Sequence, residues 1–149
     1  MIETATDADT CLVVKRTFNS ARDKVFIAWT DPAQLQKWWH AKDDWKTPIA
    51  EIDLKVGGKY RLGMQDPEKA EPHVVAGVFK EIVQNEKLVY TWRWEGHEES
   101  METLVTVLFH DRDGSTELEL IHENFADKNM RDEHEKGWDV CLQQLKKIL

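Results

Sequence analysis

The feature that most constrains this chain is a change of hydrophobic period close to residue 127. Before it, over residues 49–123, apolar and polar residues alternate in short runs, which is typical of strands with one face in the core and one in solvent. After it, apolar residues recur every three or four positions, which is typical of one long amphipathic helix, predicted at Asp127–Leu149. A helix with a single apolar stripe has to be covered, so we expect the sheet to pack against it.

The alternating part of the chain divides into several strands. A hairpin that turns at Gly57-Gly58 occupies the region from Ile49 to Met64. Four further strands are predicted at Val74–Ile82, Leu88–Trp94, Glu102–Phe109 and Thr116–Glu123. Short connections between consecutive strands predict an antiparallel meander.

The first thirty residues or so of the patterned region predict one strand and two short helices. Cys11–Phe18 is rich in β-branched residues, as strands are. Ser20 followed by Asp23 resembles a capping box and predicts a helix start there. Asp31-Pro32 ends that helix and begins a second one, because Asp can cap a helix and Pro suits its first turn.

Composition excludes several classes of function. At 149 residues we expect one domain, residues 1–149, with residues 1–10 a loosely ordered extension. The net charge of −8 opposes binding to a phosphate backbone, so no nucleic-acid partner is expected. No segment approaches the ~20 apolar residues of a membrane helix, and the first residues are not those of a signal peptide, so we expect a cytoplasmic protein without membrane insertion. Cys11 and Cys141 are expected to be free thiols in that compartment.

Motifs for known chemistry are missing from the sequence. It has no Gly-x-Ser-x-Gly, no phosphate-binding glycine loop and no His-Glu-x-x-His, and its histidines are too scattered for a metal site. We therefore predict no catalytic residues, no metal and no cofactor.

A set of short motifs carries a resemblance to a known family. They are Arg16-Thr17-Phe18, Val25-Phe26-Ile27-Ala28-Trp29-Thr30-Asp31-Pro32, Leu35 with Trp38-Trp39, Gly57-Gly58-Lys59-Tyr60-Arg61, Gly77 with Glu81-Ile82, and Gly137-Trp138 followed by Leu142, Leu145 and Leu149. In this order and spacing the chain resembles the activators of heat-shock protein 90 ATPase and their bacterial single-domain relatives, within the START-like and birch-pollen-allergen (SRPBCC) superfamily. The resemblance implies an α+β helix-grip fold, in which a curved antiparallel sheet wraps around a long C-terminal helix.

The chain departs from the family pattern in two places. His40-Ala41 follows the paired tryptophans where relatives have a Gly-Pro-like turn, and the loop after Met64 runs through Pro67 and Pro72. Both changes are expected at the rim of any cavity. The separate N-terminal domain of the eukaryotic activator has no counterpart in this sequence, so we expect little stimulation of a chaperone ATPase by this chain alone.

Strand parity predicts which side chains face the long helix. The resemblance implies that the space between the sheet and the long helix is commonly a cavity for an apolar small molecule. A filled core satisfies the same parity. Gly137, inside the helical stripe, indicates a bend, a close backbone approach or room for a ligand. The candidate cavity residues are Trp38, Trp39, Tyr60, Leu62, Met64, Tyr90, Trp92, Trp94, Leu118, Leu120, His122, His134 and Trp138.

Three polar side chains are candidate anchors for a ligand. His122 and His134 share faces with apolar residues, where an imidazole could bind or protonate a ligand or simply be hydrogen-bonded in place. Arg16 shares the parity of Leu12 and Val14 and could hold a carboxylate or extend to solvent.

Three functions remain open at this point. The first is binding of an apolar or amphipathic small molecule, and the second is a protein-interaction module whose partner is a chaperone, as the family name suggests. The third is a cyclase or hydrolase that uses the same cavity. Fold alone cannot choose among them, but few polar groups are predicted inside, which favours binding over catalysis. The sequence does not predict the oligomeric state.

Overall fold

The computed structural model describes residues 8–96 and 102–149. The elements in chain order are β1 (Cys11–Phe18), α1 (Arg22–Thr30), α2 (Pro32–Trp38), β2 (Lys46–Ile52), β3 (Lys59–Gln65), β4 (His73–Val83), β5 (Lys87–Trp94), β6 (Thr103–Arg112), β7 (Ser115–Glu123) and α3 (Lys128–Ile148). Most of the predicted N-terminal extension lies outside the described residues.

The seven strands form one antiparallel sheet in the order β1-β7-β6-β5-β4-β3-β2. The predicted meander from β2 to β7 is confirmed, and β1 adds to its far edge by pairing with β7. The sheet curls into a half-barrel with α3 as the long C-terminal helix, which confirms the predicted α+β helix-grip architecture. Alternation is exact along β7, where Leu118, Leu120 and His122 are fully buried and their neighbours are half-exposed.

Turn chemistry explains the short connections of the sheet. Asn85, Asp113 and Gly114 adopt positive φ between successive strands, as does Gly57 in the β2–β3 connection. Asn, Asp and Gly tolerate this left-handed conformation best. Each turn lies where the sequence predicts it.

The start of α1 differs from the sequence prediction. Its N-cap is Ala21, which is extended and offers no side-chain hydrogen bond, so the predicted Ser20–Asp23 capping box is wrong. The carbonyl of Ser20 instead accepts a hydrogen bond from Thr116 Oγ1 at 2.7 Å. Ser20 therefore connects the end of β1 to β7. The N-cap of α1 is one residue later than predicted.

The caps of the other two helices match the prediction. Asp31 accepts from the backbone N–H of Ala33 at the start of α2, and Asp127 accepts from that of Met130 at 2.9 Å at the start of α3. Gly137 lies inside α3, as predicted. In the described ranges 8–96 and 102–149, no helix has both the length and the apolar composition of a membrane span.

A bulge that the sequence did not predict bends the middle of the sheet. The pairing of β4 with β5 shifts between Phe79 and Glu81, and the N–H of Val78 is bonded to the Thr91 hydroxyl at 2.9 Å. An extra residue on one strand increases local twist and curvature. The bulge therefore adds twist and curvature to the sheet at β4 and β5.

Candidate functional site

A cavity of about 510 Å³ lies between α3 and one end of the sheet, where β3 and β5 end and β4 begins. The segment that joins α2 to β2 supplies another wall. Most of the lining is apolar, and five indole rings contribute to it. The lining residues are Trp39, Ala41, Trp45, Met64, His73, Trp92, Trp94, Met130, Glu133, His134, Gly137, Trp138 and Cys141.

The structure divides the predicted cavity residues into two groups. Trp39, Met64, Trp92, Trp94, His134 and Trp138 line the cavity. The others are packed in the core without lining it: Trp38, Tyr60, Leu62, Tyr90, Leu118, Leu120 and His122.

Aromatic packing explains why the second group does not line the cavity. The rings of Tyr60 and Phe79 lie 5.2 and 5.8 Å from the ring of Tyr90, whose hydroxyl accepts the indole N–H of Trp29 at 3.2 Å. This cluster reduces the free space at its end of the sheet to about 20 Å³, roughly the room that one water needs. Parity indicated the correct face, but the interior is filled at this end and open at the other.

The segment after α2 is held against α3 by two hydrogen bonds. The carbonyl oxygen of His40 accepts from Cys141 Sγ at 3.3 Å and from Gln144 Nε2 at 3.2 Å. Ala41, the next residue, lines the cavity opposite Gly137, and a Cβ at Gly137 would lie 3.8 Å from that of Ala41. The departure from the family turn at His40-Ala41 therefore lies in the cavity wall. Gly137 provides room there rather than a tight backbone contact.

His134 is hydrogen-bonded through both ring nitrogens. Its Nε2 accepts the indole N–H of Trp94 at 2.9 Å, and its Nδ1 lies 2.8 Å from the carbonyl oxygen of Met130. An indole can only donate and a carbonyl can only accept, so His134 is neutral with its hydrogen on Nδ1. Burial lowers the pKa of His134, although the Met130 hydrogen bond and the Glu133 carboxylate oppose that effect.

His122 lies behind the cavity wall in a second chain of hydrogen bonds. Its Nδ1 accepts the indole N–H of Trp138 at 3.1 Å, so the ring hydrogen is on Nε2 and is donated to Thr103 Oγ1 at 2.8 Å. Thr103 then donates to the carbonyl oxygen of Trp92 at 3.1 Å. Burial, assisted by nearby His134, holds the pKa of His122 well below its usual value. Both histidines are therefore neutral, and both nitrogens of each ring are hydrogen-bonded within the protein.

Arg16 lies outside the cavity. It is exposed on β1 and forms an ion pair with Asp139 of α3 at 2.6 Å. Parity directs it towards α3, but the helix supplies a carboxylate at its surface. The structure does not bring this predicted anchor to the cavity, and it does not leave a free nitrogen on either histidine.

The sequence prediction missed several lining residues, among them Trp45, His73 and Glu133. Trp45 lies between α2 and β2 and stacks on His73 with the ring centroids 5.6 Å apart. Neither residue belongs to a periodic apolar pattern, and Glu133 lies outside the apolar stripe of α3. The available signal was the presence of a third tryptophan shortly after Trp38-Trp39 in an otherwise polar segment.

The indole nitrogen of Trp92 is exceptional. The side chain is almost completely buried, and within residues 8–96 and 102–149 its Nε1 has no hydrogen-bond partner. In the same part of the chain, no group of three or more His, Cys, Asp or Glu side chains is arranged to hold a metal ion.

Comparison with known proteins identifies the family. The family described as "Activator of Hsp90 ATPase homolog 1-like protein" matches residues 19–149. The chain belongs to this family. No curated protein sequence matches it significantly.

Solved structures of similar proteins support the same fold. Protein CV1439 from Chromobacterium violaceum is 22% identical, with a TM-score of 0.85 over 93% of this chain and 96% of its own. The AHSA1 protein from Silicibacter pomeroyi is 25% identical, with a TM-score of 0.78 over 92% and 95%. PFC0360w, an HSP90 activator from Plasmodium falciparum, is 25% identical, with a TM-score of 0.72 over 93% and 95%.

Proposed function

We propose that the protein binds an apolar small molecule in the cavity between α3 and the end of the sheet. The single observation that supports this function is a 510 Å³ space lined by five indole rings within the described part of the chain. Ligand cavities in proteins span roughly 300–1,000 Å³ and are lined mainly by apolar and aromatic groups. Indole rings provide a large contact area with little loss of side-chain entropy.

The hydrogen bonds of His134 in the wall and of His122 behind it argue against an imidazole base and for binding. Both nitrogens of His134 are hydrogen-bonded within the protein, and so are both nitrogens of His122 behind the wall. A general base needs a free lone pair within reach of a substrate proton. These histidines support the indole rings Trp94 and Trp138 and leave the cavity surface predominantly apolar.

Gly137 provides a direct test of this function. A leucine there would extend from α3 into the cavity, whereas an alanine would make only an ordinary contact with Ala41. We expect saturable quenching or enhancement of tryptophan emission when the wild-type protein is titrated with neopentylbenzene, a compact neutral aromatic probe.

The Gly137→Ala variant should bind this probe like the wild type, and Gly137→Leu should bind it at least about tenfold more weakly while keeping its circular dichroism spectrum. Equal affinity in all three proteins, or no saturable signal in the wild type, would contradict binding in this cavity.

Contact with a chaperone is a second candidate function, and it rests on the family match and on the similarity to the Plasmodium falciparum activator. The test is an Hsp90 ATPase assay with increasing amounts of this protein. A saturable increase in the rate of ATP hydrolysis would support contact. An unchanged rate, together with no binding by calorimetry, would exclude it.

A further inference from the structure

The charge of the cavity wall differs from that of an ordinary apolar pocket. Glu133 is the one carboxylate among the described lining residues, and no lysine or arginine of the described chain lines the cavity. His134 is neutral because it accepts the Trp94 indole N–H. The full chain also carries a net charge of −8. Besides Glu133, the titratable groups of the described lining are His73, His134 and Cys141, so its one acidic side chain faces no lysine or arginine across the cavity.

Glu133 keeps its charge available at the cavity mouth. It is exposed to solvent and also lines the cavity, and it forms no ion pair within residues 8–96 and 102–149. The basic residues of the preceding turn are engaged elsewhere. Lys128 pairs with Asp132 at 3.1 Å, and Arg131 pairs with Asp132 at 2.7 Å and with Glu135 at 3.1 Å.

The indole rings also favour a positively charged ligand. The face of an aromatic ring carries negative electron density, and tryptophan attracts cations more strongly than tyrosine or phenylalanine does. Five such rings line this cavity with one carboxylate at the mouth. No lysine or arginine of the described lining could pair with a bound carboxylate, which Glu133 would repel.

We propose that the ligand is an organic cation, an apolar skeleton with an alkylated ammonium group that lies among the indole rings and near Glu133. This inference rests on the proposed function, because it concerns the same cavity. It goes beyond that function by assigning the charge of the ligand. It implies that fatty acids and other apolar carboxylates are not the preferred ligands.

Three probes of similar size and different charge test this inference. They are benzyltrimethylammonium, its neutral isostere neopentylbenzene, and phenylacetate, each titrated by calorimetry and by tryptophan fluorescence. We expect the cation to bind as tightly as the neutral isostere or more tightly, despite its greater desolvation, and phenylacetate to bind at least about tenfold more weakly.

Two variants separate the local charge from the net charge. Glu133→Gln should weaken cation binding by about three- to tenfold. The affinity for neopentylbenzene should stay within about twofold of the wild-type value. Glu86→Gln removes the same charge from the turn between β4 and β5, at the opposite end of these strands, and should change neither affinity. Higher salt should weaken binding of the cation only.

The outcomes distinguish this inference from the proposed function. Tighter binding of phenylacetate than of the cation, or an unchanged cation affinity in Glu133→Gln, would overturn the inference while neopentylbenzene still bound in the cavity. If no probe of any charge gave a saturable signal in the wild-type protein, both the inference and the proposed function would be wrong.

Discussion

Trp94 donates its indole N–H to Nε2 of His134 at 2.9 Å, across the space between the end of β5 and the first half of α3. This hydrogen bond joins sheet and helix at the cavity wall and fixes the imidazole in its neutral form. The same relationship is repeated deeper in the core, where Trp138 donates to His122 at 3.1 Å. Two indole–imidazole pairs thus hold the rings around the cavity.

The first prediction concerns the pKa of His134. Replacing Trp94 by phenylalanine removes the donor on Nε2 and frees that lone pair to accept a proton. We expect the pKa of His134, which burial lowers, to rise towards its ordinary value in Trp94→Phe. The measurement is an NMR titration of the imidazole Cε1–H signal. Trp45→Phe, a change to a cavity ring that does not bond to His134, should leave the titration unchanged, and an unchanged pKa in Trp94→Phe would contradict the assigned role.

The second prediction is a loss of stability in mild acid. The pKa values of His122 and His134 are lowered in the folded protein, so below about pH 6.5 the unfolded chain binds protons that the folded chain does not. Above that pH these two histidines should therefore not lower the free energy of unfolding. It should fall as the pH drops, by up to about 1.4 kcal/mol per pH unit for each histidine.

Urea denaturation at several pH values measures this slope. The His134→Gln variant should show a smaller slope than the wild type, because one of the two groups no longer titrates. A wild-type stability that is constant from neutral pH to about pH 5 would contradict the neutral assignment of these histidines.

The third prediction compares two tryptophans of the cavity wall. Trp138→Phe leaves Nδ1 of buried His122 without its donor, whereas Trp92→Phe removes an indole N–H that has no partner among the described residues. Both changes remove a similar apolar area. We expect Trp138→Phe to lower the free energy of unfolding by about 1–3 kcal/mol more than Trp92→Phe does, because an unsatisfied buried acceptor is costly. Equal losses in chemical denaturation would show that the His122 hydrogen bond contributes little.

The fourth prediction concerns two glycines with opposite surroundings. A Cβ at Gly137 would meet only the Ala41 Cβ at 3.8 Å, whereas a Cβ at Gly77 would lie 2.0 Å from the carbonyl oxygen of Thr91. Gly137→Ala should raise the free energy of unfolding by about 0.5–1 kcal/mol, the usual gain inside a helix. Gly77→Ala should lower it by about 3 kcal/mol or more, since backbone has to move. Thermal and urea unfolding of both variants would check these opposite signs.

Much of the fold could be predicted from hydrophobic period and turn residues, because both are local properties of the chain. The alternation along β5 correctly indicated that Trp92 and Trp94 face α3. Tyr90 has the same parity but does not line the cavity, because Trp29 from α1 and Phe79 from β4 fill the space beside it. Strand parity indicates which face of the sheet a side chain is on. Whether the space on that face is filled depends on side chains from other elements.

The polar part of the site was harder to predict for a similar reason. Sequence pattern directed His122, His134 and Arg16 towards the interior or towards α3, but it contained no information on their partners. The indole donors and Asp139 come from elements distant in the chain. Trp45 was missed because a connecting segment has no period from which burial can be inferred.

The most direct test of the ligand cavity is a two-dimensional ¹⁵N–¹H NMR titration that follows the indole N–H signals of the seven tryptophans. The five cavity rings should shift saturably when neopentylbenzene or benzyltrimethylammonium is added. Trp38, whose N–H is bonded to the Ala28 carbonyl in the packed core, should shift least. Indole signals that remain unchanged up to the solubility limit of both probes, or that shift equally at Trp38 and at the cavity rings, would contradict a ligand site in this cavity.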